Sequence, residues 1–199
     1  MVLDPSSPLC REMFKKQPDF QLAGEMIKAI KIGLQDSFDE PYYDFLTYVY
    51  NKIPIKQLYV NGLEKDKVQI HERYIQSLLN FWKFTNSKIC LTNIKLTSNH
   101  FKWFLEEGCH IKTFEMMNCQ IADFPKNFTM NNELPYNLQR LVLRGAFEAK
   151  GLSIFLNEIK INKKLIAKLK SITLSKDLKK SEKKWFTEAQ ISIVVDKSK

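Results

Sequence analysis

The stretch IKTFEMMNCQI, residues 111–121, carries its apolar side chains at a spacing that fits neither a strand nor a helix. Counted with Ile111 as place 1, they fall at places 1, 4, 6, 9 and 11: Ile111, Phe114, Met116, Cys119 and Ile121. A half-buried strand would alternate strictly, and an amphipathic helix would repeat about every 3.6 residues. Whether the same spacing recurs elsewhere in the chain therefore decides how this stretch is interpreted.

The same spacing recurs in four further segments, which start at residues 55, 86, 138 and 169. Their apolar matches are Ile55, Leu58 and Val60; Ile89, Leu91, Ile94 and Leu96; Leu138, Leu141 and Leu143; and Leu169, Ile172 and Leu174. Successive starts, with residue 111 included, are 31, 25, 27 and 31 residues apart. A near-constant interval indicates an internal repeat, and ISIVV at 191–195 is a weaker candidate for a terminal strand.

The segments between the matches mostly predict helices, because their apolar residues share one helical face. The predicted helices lie within residues 68–84, 96–109 and 151–164. In the second of these, Ser98 is a candidate N-cap and Gly108 a stop signal. Residues 122–137 differ, because two prolines and four asparagines predict an irregular loop or one short turn.

A strand followed by a helix, repeated every 25 to 31 residues, resembles the leucine-rich repeat. The motif LxxLxLxxN/CxL falls on residues 111–121 without a mismatch, and the resemblance extends over residues 55–195. Long repeats with helical linkers are similar to the ribonuclease-inhibitor-like and cysteine-containing subclasses. The resemblance implies an α/β fold, a short solenoid of parallel strands with outer helices. It also implies that places 1, 4 and 6 fill the core and that the ninth residue hydrogen-bonds within the following loop.

The sequence departs from the motif at the ninth place, which never holds Asn. The residues there are Leu63, Ile94, Cys119, Ala146 and Asp177, so the repeats are degenerate. The alternative is an ordinary α/β layer whose strands pair through right-handed crossovers.

At 199 residues the chain is long enough for one domain with a sizeable core. We expect residues 1–54 to form an N-terminal helical cap on a solenoid of residues 55–199. Residues 20–34 align Leu22, Met26, Ile30 and Leu34 on a helical face, and residues 39–53 predict a second helix with Pro41 in its first turn. A cap is needed because the first repeat of a solenoid exposes an apolar edge. A separate docking helix is the alternative interpretation.

Most of the net charge of +9 lies in the C-terminal quarter, because residues 150–199 hold 13 Lys and 5 acidic residues. One interpretation of residues 176–186 is a Lys-rich C-terminal helix that exposes its lysines and turns Leu178 and Trp185 or Phe186 inward. The other is an electrostatic surface for nucleic acid or an anionic membrane.

The sequence carries none of the common nucleotide-binding, hydrolase or zinc-protease motifs, so we expect no catalytic residue and no cofactor. Three His and four Cys lack the paired spacing of a zinc site, so we expect no metal.

Without a CxxC pair or a secretory signal, the protein should be intracellular, either cytoplasmic or mitochondrial. No apolar run approaches the roughly 20 residues of a membrane span.

In the resembled fold, places 3, 5 and 7 of each strand line the concave face. The candidate partner-binding residues on this face are Tyr59, Thr113, Glu115, Met117, Arg140, Val142, Arg144, Ser171 and Thr173. Such a mixed surface suits a protein partner. We expect a non-catalytic protein–protein interaction module, an accessory or scaffold subunit of a larger complex. The overall layout is similar to small mitochondrial leucine-rich-repeat proteins related to ATP synthase coupling factor B. The alternative is an RNA-binding subunit of a ribonucleoprotein that uses the basic C-terminal quarter.

Overall fold

The computed structural model describes residues 2–3, 29–33, 55–62, 68–69, 85–145, 147 and 149–196. Within these ranges the protein is α/β, with two parallel sheets and four helices. The predicted α/β class with a parallel sheet is therefore confirmed.

The main sheet has eight strands, and every pairing between them is parallel. Its strands, from one edge to the other, are β1 (Val2–Leu3), β2 (Ala29–Gly33), β3 (Ile55–Asn61), β5 (Thr85–Thr92), β7 (Thr113–Met117), β9 (Arg140–Arg144), β10 (Ser171–Leu174) and β11 (Ser192–Val195). A second sheet consists of β4 (Val68–Gln69), β6 (Ile94–Thr97) and β8 (Gln120–Ala122). In both sheets the spatial order of the strands follows the order of the chain.

The predicted register of the repeated spacing is confirmed by the strand pairing. Place 4 residues lie opposite one another from β3 to β10: Leu58, Ile89, Phe114, Leu141 and Ile172. Place 6 residues form the next row: Val60, Leu91, Met116, Leu143 and Leu174. All ten are buried in one hydrophobic core. Two alternate residues of each of these strands face that core, as do the place 1 residues Ile111, Leu138 and Leu169, and this accounts for the 1-4-6 spacing.

The helices lie against the same core. They are α1 (Ser98–Glu107), α2 (Ala149–Ile161), α3 (Lys163–Ile166) and α4 (Lys180–Glu188). The buried residues Phe101 and Phe104 of α1, and Phe155 and Ile159 of α2, belong to the core cluster of the strands. Since places 4 and 6 contact this cluster, the helices lie on that face of the main sheet. The helices predicted over 96–109 and 151–164 are confirmed.

The start of α1 differs by one residue from the prediction. The N-cap is Thr97, whose Oγ1 accepts a hydrogen bond from the His100 N–H at 3.2 Å. Ser98 is the first helical residue, and its hydroxyl donates to the carbonyl oxygen of Asp123 at 3.2 Å. Gly108 ends the helix as predicted. Of the helix predicted over 68–84, Val68–Gln69 is strand β4, and residues 70–84 lie outside the described part.

Residues 123–139 form the predicted irregular loop, without helix or strand. Its backbone is held by two carboxylates: Glu158 Oε1 accepts from the Met130 N–H and Glu106 Oε1 from the Asn131 N–H, both at 2.7 Å. Phe128 and Met130 of the loop are buried in the core. The loop therefore takes part in the packing although it has no regular structure.

The helix predicted over 20–34 is wrong at Ala29–Gly33, which form strand β2. This strand pairs in parallel with β3, with Ile30 opposite Leu58 and Ile32 opposite Val60. Pairing with a neighbouring strand supplies backbone hydrogen bonds that a local helical pattern cannot reveal. The rest of the predicted helical cap, including the helix over 39–53, lies outside the described residues.

Candidate interaction face of the main sheet

The face of the main sheet opposite the helices carries places 3, 5 and 7, because successive side chains of a strand alternate between faces. We call this surface the open face. Its place 3 row is Gln57, Lys88, Thr113, Arg140 and Ser171; its place 5 row is Tyr59, Cys90, Glu115, Val142 and Thr173; its place 7 row includes Asn61, Thr92, Met117 and Arg144. The structure thus brings all nine predicted partner-binding residues together in three adjacent rows.

An ion pair occupies the middle of the open face. The Lys88 ammonium lies 2.6 Å from a Glu115 carboxylate oxygen, and it also lies 5.5 Å from the ring centroid of Tyr59. The Tyr59 hydroxyl donates to Gln57 Oε1 at 2.8 Å. Partial burial works to lower the pKa of Lys88, but the hydrogen bond and charge of Glu115 outweigh it, so the pKa is raised. These side chains are therefore held in place before any partner arrives.

Three residues of the place 5 row are buried: Cys90, Val142 and Thr173. Val142 is only 2% exposed, so it and Thr173 have little surface to offer a partner, although both were predicted to bind one. Burial raises the pKa of the Cys90 thiol, and the hydrogen bond between Cys90 and Thr92 offsets this rise only in part. A thiol that stays protonated is a poor nucleophile. Cys90 is thus a packing residue of the open face.

The two arginines of β9 have different surroundings. Arg140 begins the strand and is exposed. Arg144 ends it, is half-buried and forms an ion pair with Asp196, the residue that follows β11. The Nε of Arg144 is buried without a hydrogen-bond partner. Four residues of strand separate the two side chains by about 13 Å. Arg140 is therefore available to a partner, whereas Arg144 already has a carboxylate.

Sequence reasoning missed the eighth place, where the chain leaves each strand of the sheet. Asn93, Asn118 and Gly145 have left-handed backbones there, with φ of 57°, 49° and 68°. Asn and Gly are the residues that tolerate this conformation most readily. The Asn118 amide donates to Asn93 Oδ1 at 2.7 Å, which ties two successive turns together. The recurrence of Asn or Gly directly before the ninth place was the available signal.

At the ninth place, Cys119 contacts carbonyl groups of two strands, whereas the resemblance implied a hydrogen bond within the following loop. Its Sγ lies 3.4 Å from the carbonyl oxygen of Met117 and 3.5 Å from that of Leu91. Cys119 is fully buried. A weak S–H donor at this place therefore satisfies backbone carbonyl groups where two neighbouring strands end.

The Lys-rich C-terminal segment turns its apolar residues inward, as one of the two interpretations predicted. Leu178 and Phe186 are buried in the core, and Trp185 packs against it. The Lys160 ammonium lies 5.5 Å from the ring centroids of both Trp185 and Phe186. Lys183 pairs with Asp177 at 2.5 Å. Helix α4 thus exposes lysines without an exposed aromatic ring on which a nucleic acid base could stack.

The candidate histidines make structural contacts where they are described. His110 Nε2 lies 2.8 Å from the carbonyl oxygen of Thr85, and the rings of His100 and Trp103 are 5.7 Å apart; His71 lies outside the described residues. The described residues include no group of three or more His, Cys, Asp or Glu that could hold a metal ion.

None of the helices in the described part of the chain is long and apolar enough to span a bilayer.

Comparison with known proteins adds no family or function. No protein-family model matches the chain, and no curated protein sequence matches it either.

Proposed function

We propose that this chain is a short leucine-rich-repeat-like solenoid that serves as a non-catalytic protein-binding module, an accessory or scaffold subunit of a larger complex. Its parallel strands follow one another in chain order, with places 4 and 6 in register. This arrangement supports a repeat in which each unit contacts mainly its neighbours. The three in-register rows of the open face are the observation that carries the functional part of the proposal.

The chemistry of the open face supports a protein partner. It combines an aromatic residue, a methionine and an exposed arginine with a central ion pair between Lys88 and Glu115. Aromatic residues, Met and Arg are enriched at the centres of protein interfaces, whereas most other charged residues are depleted there. Lys88 and Glu115 already bind each other, and the Tyr59 hydroxyl already binds Gln57. Binding a partner therefore costs less side-chain conformational entropy than it would if these side chains were free to move.

The most useful contact residues are those that keep exposed surface and lie in adjacent rows. Tyr59 and Met117 are half-exposed, and Arg140 is exposed. Val142 and Thr173 are buried and are therefore left out of the contact surface. We place the contact centre at Tyr59, Met117 and Arg140, with Thr113, Glu115 and Ser171 around it.

We also propose an intracellular location, in the cytoplasm or the mitochondrion. Cys90 and Cys109 are thiols rather than disulfides, and burial raises the pKa of both. Unpaired cysteines of this kind are typical of proteins in reducing compartments.

The test is affinity capture of partners from the native source, followed by identification of the captured protein by mass spectrometry. The open-face variant combines Met117→Ala with Arg140→Ala, which removes a half-exposed and an exposed side chain from the neighbouring strands β7 and β9. A matched control combines Lys150→Ala with Asn157→Ala, two exposed positions of α2 on the helical side of the sheet.

We expect the open-face variant to weaken capture of the identified partner by about tenfold or more, since truncating a central contact typically costs about 2 kcal/mol. The control should capture it as well as the wild type. Loss of capture by the control but not by the open-face variant would place the interface on the helical side and refute the proposal.

A further inference from the structure

The edge of the main sheet where its strands begin is basic. Lys56 is the second residue of β3, Lys112 directly precedes β7, Arg140 begins β9, and Lys170 directly precedes β10. All four side chains are exposed. We call these four residues the basic row.

Strand pairing places Lys56, Lys112 and Lys170 at one level of the sheet, because each directly precedes a residue of the place 3 row, and Arg140, itself in that row, lies one residue farther along. The N–H groups of Arg140 and Lys112 donate to the carbonyl oxygens of Lys112 and Ser87, both at 3.0 Å, and that of Lys170 donates to Gln139 at 2.8 Å. Neighbouring strands lie about 4.8 Å apart, so Lys112 and Lys170, two strands apart, are separated by about 10 Å. The row crosses five strands, from β3 to β10, and is about 19 Å long.

No carboxylate interrupts this edge at places 2 and 3 of the five repeats. The residues there are Lys56 and Gln57, Ser87 and Lys88, Lys112 and Thr113, Gln139 and Arg140, and Lys170 and Ser171. None of the ion pairs formed between described residues includes a member of the basic row. At the opposite edge, Asp196 and Asp177 follow β11 and β10, and each binds a basic side chain. Among the described residues, the positive charge of the basic row is therefore uncompensated at this edge of the sheet.

We propose that the basic row binds an extended acidic segment of the protein partner, which runs across the strands along this edge. The inference rests on the proposed protein-binding function and names the chemistry of the partner. An extended segment in the polyproline II conformation has three residues per turn and advances about 3.1 Å per residue, so acidic side chains at every third residue lie on one side and recur about every 9 Å. This spacing matches that of Lys56, Lys112 and Lys170. Arg140 lies between the last two, where its planar guanidinium can bind a carboxylate with two parallel hydrogen bonds.

A protein segment fits this edge better than single-stranded nucleic acid. Nucleic acid binding of this kind combines a basic track with aromatic rings on which bases stack. Places 2 and 3 of the five repeats carry no aromatic residue. The nearest ring of the open face, that of Tyr59, already has the Lys88 ammonium 5.5 Å from its centroid.

The test uses the full chain and a fluorescein-labelled peptide of Glu and Ser with Glu at every third residue. A second peptide has the same composition with its Glu residues in one block, and a third probe is single-stranded oligouridylate of similar length. The row variant carries Lys56→Gln, Lys112→Gln, Arg140→Gln and Lys170→Gln. The control variant removes the same charge from exposed lysines near α4: Lys176→Gln, Lys179→Gln, Lys180→Gln and Lys184→Gln.

Fluorescence anisotropy at about 0.1 M ionic strength, where charges farther apart than about 10 Å are largely screened, compares the affinities. The row variant should bind the spaced peptide about tenfold more weakly than the wild type, and the control variant less than about twofold more weakly. The blocked peptide should bind the wild type more weakly than the spaced peptide. Circular dichroism verifies that both variants remain folded.

Equal losses in the two variants would mean that net charge alone attracts the peptide, which overturns the inference. Tighter row-dependent binding of oligouridylate than of the spaced peptide would overturn it as well, because the row would then bind nucleic acid. The proposed function is judged separately by partner capture. A triple variant, Lys56→Gln, Lys112→Gln and Lys170→Gln, separates the two proposals. If it still captures the partner while the Met117→Ala, Arg140→Ala variant does not, only the inference about the acidic segment fails.

Discussion

Replacing Glu158 by alanine should destabilise the protein by about 2 kcal/mol through the loop of residues 123–139. Glu158 is 5% exposed, and its Oε1 accepts the Met130 N–H at 2.7 Å in a buried hydrogen bond. Without the carboxylate this N–H stays in the core without an acceptor. Leaving a buried donor unsatisfied costs about 1–3 kcal/mol, and hydrogen bonds to charged groups lie toward the upper part of that range.

Glu106 provides the matched comparison. It accepts the N–H of the next loop residue, Asn131, at the same 2.7 Å, but this hydrogen bond is exposed to solvent. In Glu106→Ala, water can take the place of the carboxylate, so the loss should be about 0.5–1 kcal/mol. The two variants thus differ mainly in the burial of this hydrogen bond, because the ion pair of Glu106 with Lys102, at 3.8 Å on the surface of α1, contributes little.

Thermal and urea unfolding followed by circular dichroism would measure the difference. For a chain of 199 residues, 2 kcal/mol corresponds to a decrease in Tm of about 4–8 °C. Glu158→Gln keeps an oxygen acceptor and nearly the same volume, so it should recover more than half of the loss. Equal losses from Glu158→Ala and Glu106→Ala, or a Gln variant as unstable as the Ala variant, would refute the account of a buried anchor.

Two further predictions concern the two faces of the main sheet. Leu141, which is fully buried between Phe114 and Ile172, should not tolerate aspartate. An unpaired charge there costs several kcal/mol, comparable to the whole stability of a domain; an unchanged circular dichroism spectrum and Tm in Leu141→Asp would show that this side chain does not face the core. On the open face, the raised pKa of Cys90 predicts slow reaction with iodoacetamide at about pH 8.5, the ordinary pKa of a thiol. Peptide mapping that finds Cys90 labelled in native protein within about twofold of its rate in urea would contradict this.

The strands and their register from β3 onward could be predicted because the relevant pattern is local and repeated. Two alternate core residues in each short strand identify its inner face, and the recurrence identifies which strands are neighbours. The loop of residues 123–139 was equally predictable, since its prolines and asparagines disfavour regular structure wherever they occur.

Strand β2 could not be predicted with the same ease, although Ile27, Ile30 and Ile32 have the 1-4-6 spacing. The same isoleucines overlap a helical spacing that runs through Leu22, Met26 and Ile30. Only the presence of β3, which pairs with β2 along five residues, selects between the two patterns. A local sequence pattern does not contain that information, because the partner strand lies 26 residues farther along the chain, from Ala29 to Ile55.

The open face shows a second limit, which concerns side chains rather than backbone. The sequence places Val142 on this face correctly, but its burial depends on the neighbours that strand pairing brings beside it, Glu115 and Thr173. The ion pair between Arg144 and Asp196 likewise joins residues that are distant in the chain. The face of a sheet on which a side chain lies follows from the two-residue alternation of a strand. The exposure of that side chain and its ion pairs depend on the tertiary structure.

Arg140 and Arg144 show how this difference bears on function. They are the same residue type on the same face of one strand, and sequence reasoning treated them as equivalent. Asp196 neutralises Arg144 at the end of β9, whereas Arg140 begins the strand among basic and neutral residues. An arginine with a bound carboxylate must give it up before it can bind another, so its contribution to a new interface is small. Arg140 can bind without that cost. The available charge of the sheet therefore lies at the edge where its strands begin, and an acidic partner should contact the protein along that edge.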